Sequence, residues 1–247
     1  MEYVGDSRVG LVRSINQDSI LLCHQKEVAL FVVADGMGGH LDGEKASKAI
    51  TEGLQQWWEY IKPNLDRIDF FKMVDTVRNC IEEVNQSIYN EYQNGAICGS
   101  TVSILLIYKK QYAIFHVGDS RIYKFENKKL NQLTMDEVWE NDIRTRKKFT
   151  FQETLKSNKR GKLINAVGTT AELMITIKTD ELREDMVFFI CSDGFYKMVS
   201  ERYLAKILKK IHKGMPLNEG MEMLMNKVHQ MGAKDNVSMI IINTGKM

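Results

Sequence analysis

Five aspartates stand where a folded chain could gather negative charge. Asp35 closes the apolar run FVVAD and is followed by Gly36, Asp119 follows FHVG, and Asp193 follows VFFICS and precedes Gly194. Asp235-Asn236 immediately precedes VSMIII, and Asp18 follows Arg13 and Asn16 in RSINQD. Any one of these alone is ordinary turn chemistry. Several strand ends on one side of a sheet would instead crowd their carboxylates, and like charges ~4 Å apart repel by ~1 kcal/mol even in water. Cations remove that cost, and all-oxygen ligands select Mg²⁺ or Mn²⁺ over zinc. Two such ions about 3.5–4 Å apart would hold a bridging water, lower its pKa and clamp a phosphoryl group for in-line attack. Gly36 and Gly194 are read as leaving room for a metal or its waters beside the backbone.

Other chemistries fail on inspection. There is no GxxxxGK[ST] loop, no HExxH and no DxDxDG calcium loop. A thiol phosphatase needs Arg six positions after its Cys, and the four cysteines (Cys23, Cys80, Cys98, Cys191) have Ala29, Gln86, Ile104 and Lys197 there. Those cysteines form no CxxC pair, so a reducing compartment fits better than a disulfide framework. The 247 residues carry 34 basic against 32 acidic side chains, and a formal charge of +2 argues against nucleic acid or a membrane surface as the main partner. The opening MEYVGDSRVG has no apolar core, and the longest clean apolar run, Val28–Ala34, is far short of the ~20 residues a spanning helix needs. A cytoplasmic chain is expected.

The elements that must position these residues are legible in part. Strand-like runs cover Val28–Ala34, Thr101–Tyr108, Tyr112–Val117, Arg121–Phe125, Val187–Ile190 and Ser238–Asn243. Between the first two lie two helical stripes, one from Ala46 to Ile61 and one from Val74 to Tyr92. Late in the chain Ser200 is placed to cap a helix over Glu201–Ile211 that Gly214 ends, and Pro216 opens another that Gly232 stops. Strand groups alternating with helix pairs predict an α+β chain of antiparallel sheets with helix pairs outside, not a doubly wound parallel sheet. With two prolines and no Ser/Gly tract, nothing divides residues 1–247 into separate domains. The basic, weakly periodic stretch from Asp136 to Arg160 reads as a mobile surface insertion.

At these residues the sequence resembles the metal-dependent serine/threonine protein phosphatases of type 2C, in their short bacterial form. The matching motifs are RSINQD (Arg13–Asp18), VVADGMGGH (Val32–His40), Gly99-Ser100-Thr101, HVGDSRIY (His116–Tyr123), Leu133-Thr134-x-Asp136, INAVG (Ile164–Gly168), CSDGFY (Cys191–Tyr196) and KDNVSMIII (Lys234–Ile242). The resemblance implies a four-layer αββα sandwich, two antiparallel β-sheets flanked by helix pairs, with metals at one end. It implies Mn²⁺ or Mg²⁺, two core ions and a weaker third. Asp35 would bridge the core ions, with the Gly36 carbonyl on one and Asp193 and Asp235 on the other. Asp18 would support the Gly36-side ion through water, Asp119 would share the third, and Arg13 would grip the substrate phosphate. Residues from about 136 to 161 match the flap beside the active site.

Some positions depart from the pattern. Arg8 stands where many members have Asp, Asn165 where Arg is usual, and Met37 where animal relatives carry a proton-donating His. Thr134 and Asp136 lack the His that usually follows. His40 is weighed as the acid against a structural role at a helix entry. The leading reading is hydrolysis of phosphoserine and phosphothreonine in proteins, acting against a cognate Ser/Thr kinase, by a monomer. A catalytically silent phosphoprotein-binding module and a phosphatase of small phosphorylated metabolites are the alternatives.

Overall fold

Strands that are apolar on both faces need a cover on each side, and the computed structural model supplies it with two stacked sheets and two outer helix pairs. It describes residues 1–38, 42–92 and 98–245. In chain order the strands are β1 (Glu2–Arg8), β2 (Asp18–Gln25), β3 (Val28–Gly38), β4 (Cys98–Ser100), β5 (Val102–Tyr108), β6 (Gln111–Val117), β7 (Arg121–Glu126), β8 (Lys129–Gln132), β9 (Thr176–Glu181), β10 (Val187–Cys191) and β11 (Val237–Asn243). The helices are α1 (Asp42–Ile61), α2 (Phe70–Glu91), α3 (Ile143–Lys148), α4 (Phe151–Lys156), α5 (Asp193–Tyr196), α6 (Glu201–His212) and α7 (Leu217–Gln230). One sheet runs β1-β11-β10-β7-β8 and the other β2-β3-β5-β6-β9, with β4 paired to the end of β3. All pairings are antiparallel.

The period of two along each strand sorts side chains between layers. In β3, Leu30, Val32 and Ala34 pack with Ala46, Ile50, Leu54, Met73 and Val77 of α1 and α2. The intervening Ala29, Phe31 and Val33 meet Phe188, Ile190, Ile240 and Ile242 across the space between the sheets. In β11, Met239 and Ile241 turn outward to α6 and α7, where Ile207, Leu208, Leu224 and Val228 wait. The result is the antiparallel sheets with outer helix pairs that the pattern predicts, in the αββα order that the resemblance implies.

Local chemistry sets the helix ends. Asp69 accepts from the Lys72 N–H to start α2, and Ser200 accepts from the Tyr203 N–H to start α6. Pro216 stands just ahead of α7. Val28–Ala34 proves longer than its apolar run: β3 continues through Asp35 and Gly36 because β4 pairs with that extension. Asp35 therefore lies within a strand and not at its end. The stretch from Asp136 to Arg160 is not structureless either. Asp142 caps α3, and Thr150 with Glu153 forms a capping box on α4, two signals masked in sequence by the surrounding lysines.

Candidate active site

At one end of the sandwich, Arg13, Asp35, Gly36, Asp119, Asp193 and Asp235 line one open cleft of about 280 Å³. Asp18 stands behind them, directly across the β2–β3 pair from Asp35. Two roomier grooves, about 510 and 650 Å³, run along α2. Their charged lining is limited to glutamates such as Glu82 and Glu83. The chemistry gathers in the smaller cleft.

Each acid is placed by its own backbone. The Asp35 N–H donates to Thr101 Oγ1 (3.1 Å) and its carbonyl accepts from the Thr101 N–H (2.9 Å). Thr101 Oγ1 is 2.6 Å from Ser120 Oγ, which ties the turn carrying Asp119 to the same point. Asp193 opens α5 at the end of β10. Asn236 clamps the loop that carries Arg13: its Nδ2 donates to the Val9 and Ile15 carbonyls (2.9 Å each) and its Oδ1 accepts from the Gln17 N–H (2.9 Å).

The space beside the α-carbons of the two glycines is filled by backbone, which corrects their reading as free space. A Cβ on Gly36 would lie 2.0 Å from the Gly43 carbonyl oxygen, and one on Gly194 would lie 2.0 Å from that of Asn236. Only glycine lets β3 meet the start of α1, and α5 meet the 235–236 turn, at that separation.

The electrostatics are strained. Burial pushes the Asp18 carboxyl up to about 6, against hydrogen bonds from Ser192 and Ser238. Burial and the charge of Asp193 push Asp119 up to about 6 as well. Part of Asp35 opens on the cleft, yet burial and then the charges of Asp18, Asp193, Asp119 and Asp235 hold it well above the usual carboxylate range. Among the described residues no three acidic, His or Cys side chains are drawn together as a closed ligand shell. The reason is visible in their partners. Arg13 donates from Nε and Nη2 to both oxygens of Asp235 (2.8 and 3.0 Å). Lys197 Nζ donates to Asp193 Oδ2. Tyr196 donates to Asp119 (3.0 Å) and Ser192 to Asp18 (2.7 Å). The donor set itself, carboxylates and a backbone carbonyl, is hard and all-oxygen and fits Mg²⁺ or Mn²⁺.

A family model for protein phosphatase 2C matches residues 10–231. The chain belongs to the protein phosphatase 2C family. It is 27% identical over 244 residues to the serine/threonine phosphatase stp of Listeria welshimeri, covering 96% of this chain and 94% of that one. It is 25% identical over 238 residues to the protein phosphatase PhpP of Streptococcus pneumoniae, covering 95% and 94%. Among solved structures, the S. agalactiae serine/threonine phosphatase superposes with a TM-score of 0.85 at 25% identity over 98% of each chain. The catalytic domain of PstP, solved in complex with two manganese ions, superposes at 0.77 with 26% identity over 97% and 96%.

Seen as a 2C phosphatase, the chain compensates for its departures locally. Where the usual His after Leu133-Thr134-x-Asp136 is missing, Glu137 accepts from the Gly118 N–H (2.9 Å) and from Asn165 Nδ2 (2.7 Å). The Glu and the Asn that replace familiar residues are thus partners of one another. Asp136 holds Arg121 through two hydrogen bonds (2.9 and 2.7 Å), and Arg121 lies 3.6 Å over the Tyr196 ring. Arg8 pairs with Asp6 and Glu222 away from the cleft. His40 lies outside the described residues. Sequence reasoning missed Glu137 and Lys197. The second carried a usable signal, since it stands four residues after Asp193 on a helical turn. All four cysteines are free and buried, and burial pushes the Cys23 and Cys80 thiols up to about 11, which suits packing and not nucleophilic attack.

Proposed function

We propose that this chain is a single catalytic domain, with a flap over about residues 136–161, that hydrolyses phosphoserine and phosphothreonine in proteins with Mn²⁺ or Mg²⁺. The observation that carries this reading is the convergence of Asp35, Asp119, Asp193 and Asp235 with Arg13 on one cleft. Asp35 would bridge two core ions, the Gly36 carbonyl would serve one with Asp18 behind it through water, and Asp193 and Asp235 would serve the other. Asp119 would hold a weaker third. When bound, such ions supply an activated water and neutralise phosphoryl charge.

The chain's own residues do the rest. The guanidinium of Arg13, now forked on Asp235, offers two parallel donors that match phosphoryl oxygens. Met37, which lines the cleft where animal relatives carry a His, has no proton to give to the leaving serine or threonine oxygen. The substrate class implies a Ser/Thr kinase of opposite action as functional partner. No helix among the described residues is long and apolar enough to cross a membrane, and we place the chain in the cytoplasm as a monomer without nucleic acid.

Release of phosphate from phosphoserine and phosphothreonine peptides, measured with and without Mn²⁺, tests this. Turnover should require the added ion and stop in EDTA. Full turnover after exhaustive chelation would overturn it.

A further inference from the structure

The cleft holds two cations, and only Arg13 was anticipated. The other, Lys197, follows the last residue of α5, and its Nζ donates to Asp193 Oδ2 one helical turn back. Asp193 is the less exposed partner, with 18% of its side-chain surface open against 51% for Lys197. Both residues line the cleft, with the carboxylate the more enclosed of the two. Asp119 and Asp35 also act on the Lys197 charge.

A carboxylate oxygen that accepts from an ammonium cannot at the same time give that lone pair to a metal. The ammonium is tied to Asp193 by four residues of chain, so its local concentration is high and independent of solution conditions. A divalent ion that takes the same Oδ2 lone pair must displace it, and one that binds Oδ1 must share the carboxylate with a positive charge, so the ammonium opposes loading either way. Once displaced, it has Asp119 as a second charged neighbour. From this geometry we infer that Lys197 is a tethered competitor for the metal at Asp193 and sets the concentration at which that position loads. The inference rests on the metal-centre reading above. Arg13 is not equivalent, because its fork is also needed for phosphate.

The test is titration of the full chain with Mn²⁺ alone, followed by calorimetry and by the electron paramagnetic resonance of free Mn²⁺, for wild type, Lys197→Met and Lys197→Arg. The methionine variant keeps the stem and removes the charge, so it should bind Mn²⁺ about two- to fivefold tighter, the scale of a part-exposed ion pair. The arginine variant should resemble wild type. Lys197→Gln repeats the measurement if the methionine variant unfolds. Equal or weaker binding by the uncharged variants, or tightening in Lys197→Arg as well, would overturn the inference while leaving the metal centre in place. No Mn²⁺ binding by wild type would remove the metal-centre reading and this inference with it.

Discussion

The cleft and the flap handle charge in opposite ways. In the cleft, like charges are pressed together: Asp18 stands in register against Asp35, a placement that destabilises a cross-strand pair. In the flap, unlike charges are settled locally. Between residues 136 and 162 there are five acids, and each has a partner close by. Asp136 holds Arg121, Glu137 the Gly118 N–H, Asp142 Arg144, Glu153 Thr150, and Glu140 the Gly161 N–H. The same segment carries eight basic side chains, and its surplus, including Lys147 and Lys148, faces solvent. Arg13 and Lys197 offset Asp235 and Asp193 in the cleft, but Asp18 and Asp35 have no cation of the chain beside them, and added metal would relieve their crowding. The flap carries its acids already partnered, two of them by Arg121 and Gly118 at its base, and its spare charge is presented outward.

The largest test of that contrast removes one cleft charge at a time. Asp35→Asn, Asp193→Asn and Asp235→Asn should each lower kcat by about a hundredfold or more, because each deletes an anionic ligand while keeping the shape of the side chain. In EDTA the sign reverses for stability. Asp35→Asn should melt higher than wild type, by about 2–4 °C per kcal/mol of repulsion relieved. Differential scanning calorimetry reads this directly, and a lower melting point in EDTA would contradict the account of stored repulsion.

Glu137 is where the two regions are joined. Its carboxylate serves Gly118, Asn165 and Thr176, and its backbone N–H and carbonyl bond Gly118 and Ile164. Glu137→Ala leaves the Gly118 N–H without its carboxylate and the Asn165 amide with only the Met174 carbonyl, at about 1–3 kcal/mol. Urea unfolding should show that loss, and limited proteolysis should cut the flap first. An unchanged midpoint and cleavage pattern would mean that the flap is anchored elsewhere.

How far sequence could foresee this architecture depends on where an element lies. The six strand runs read from sequence, later β3, β5, β6, β7, β10 and β11, are the interior strands of the two sheets. Covered on both faces, they read as near-continuous apolar runs. Of the five strands left unread, β1, β2, β8 and β9 are the four sheet edges, where half-exposed sequences such as EYVGDSR and TIKTDE carry no such signal, and β4 is a three-residue strand on the end of β3. The GDSR at residues 5–8, which copies a site motif, is part of edge strand β1. Asp119 and Asp193 were legible because turn residues after apolar runs mark strand ends, and Asp35 by the same cue although β3 runs on past it. Glu137 was not, since Gly118, Asn165 and Thr176 are brought close only by folding, whereas Lys197 pairs locally and was passed over.

Arg13 sharpens the cleft side further. Arg13→Ala should lower kcat/KM by about tenfold, ~1.4 kcal/mol of lost phosphate contact, with Arg13→Lys between. Its pairing with Asp235 adds a second expectation: Mn²⁺ should bind as well as in wild type or up to about fivefold tighter, since the pair is part-exposed. Weaker Mn²⁺ binding in Arg13→Ala would mean that the arginine supports the metal site instead of competing for Asp235.

The smallest effect expected concerns the outward charge of the flap. Lys147 and Lys148 close α3, where the helix C-terminus favours cations. They supply no ligand to the cleft, whose flap-side wall is Gly161 and Leu163. Exposed charges act over roughly a Debye length, ~8 Å at physiological salt, so they can steer a peptide but not polarise the scissile bond. Replacing both by Ala should therefore reduce kcat/KM on a phosphopeptide with acidic neighbours by about two- to fivefold. An aryl phosphate, too small to reach the flap, should turn over as before. Raising the salt should shrink the difference between the two enzymes on the peptide. Equal losses on both substrates would place the flap charges inside the chemistry, and the division between a strained cleft and a self-satisfied flap would fail there.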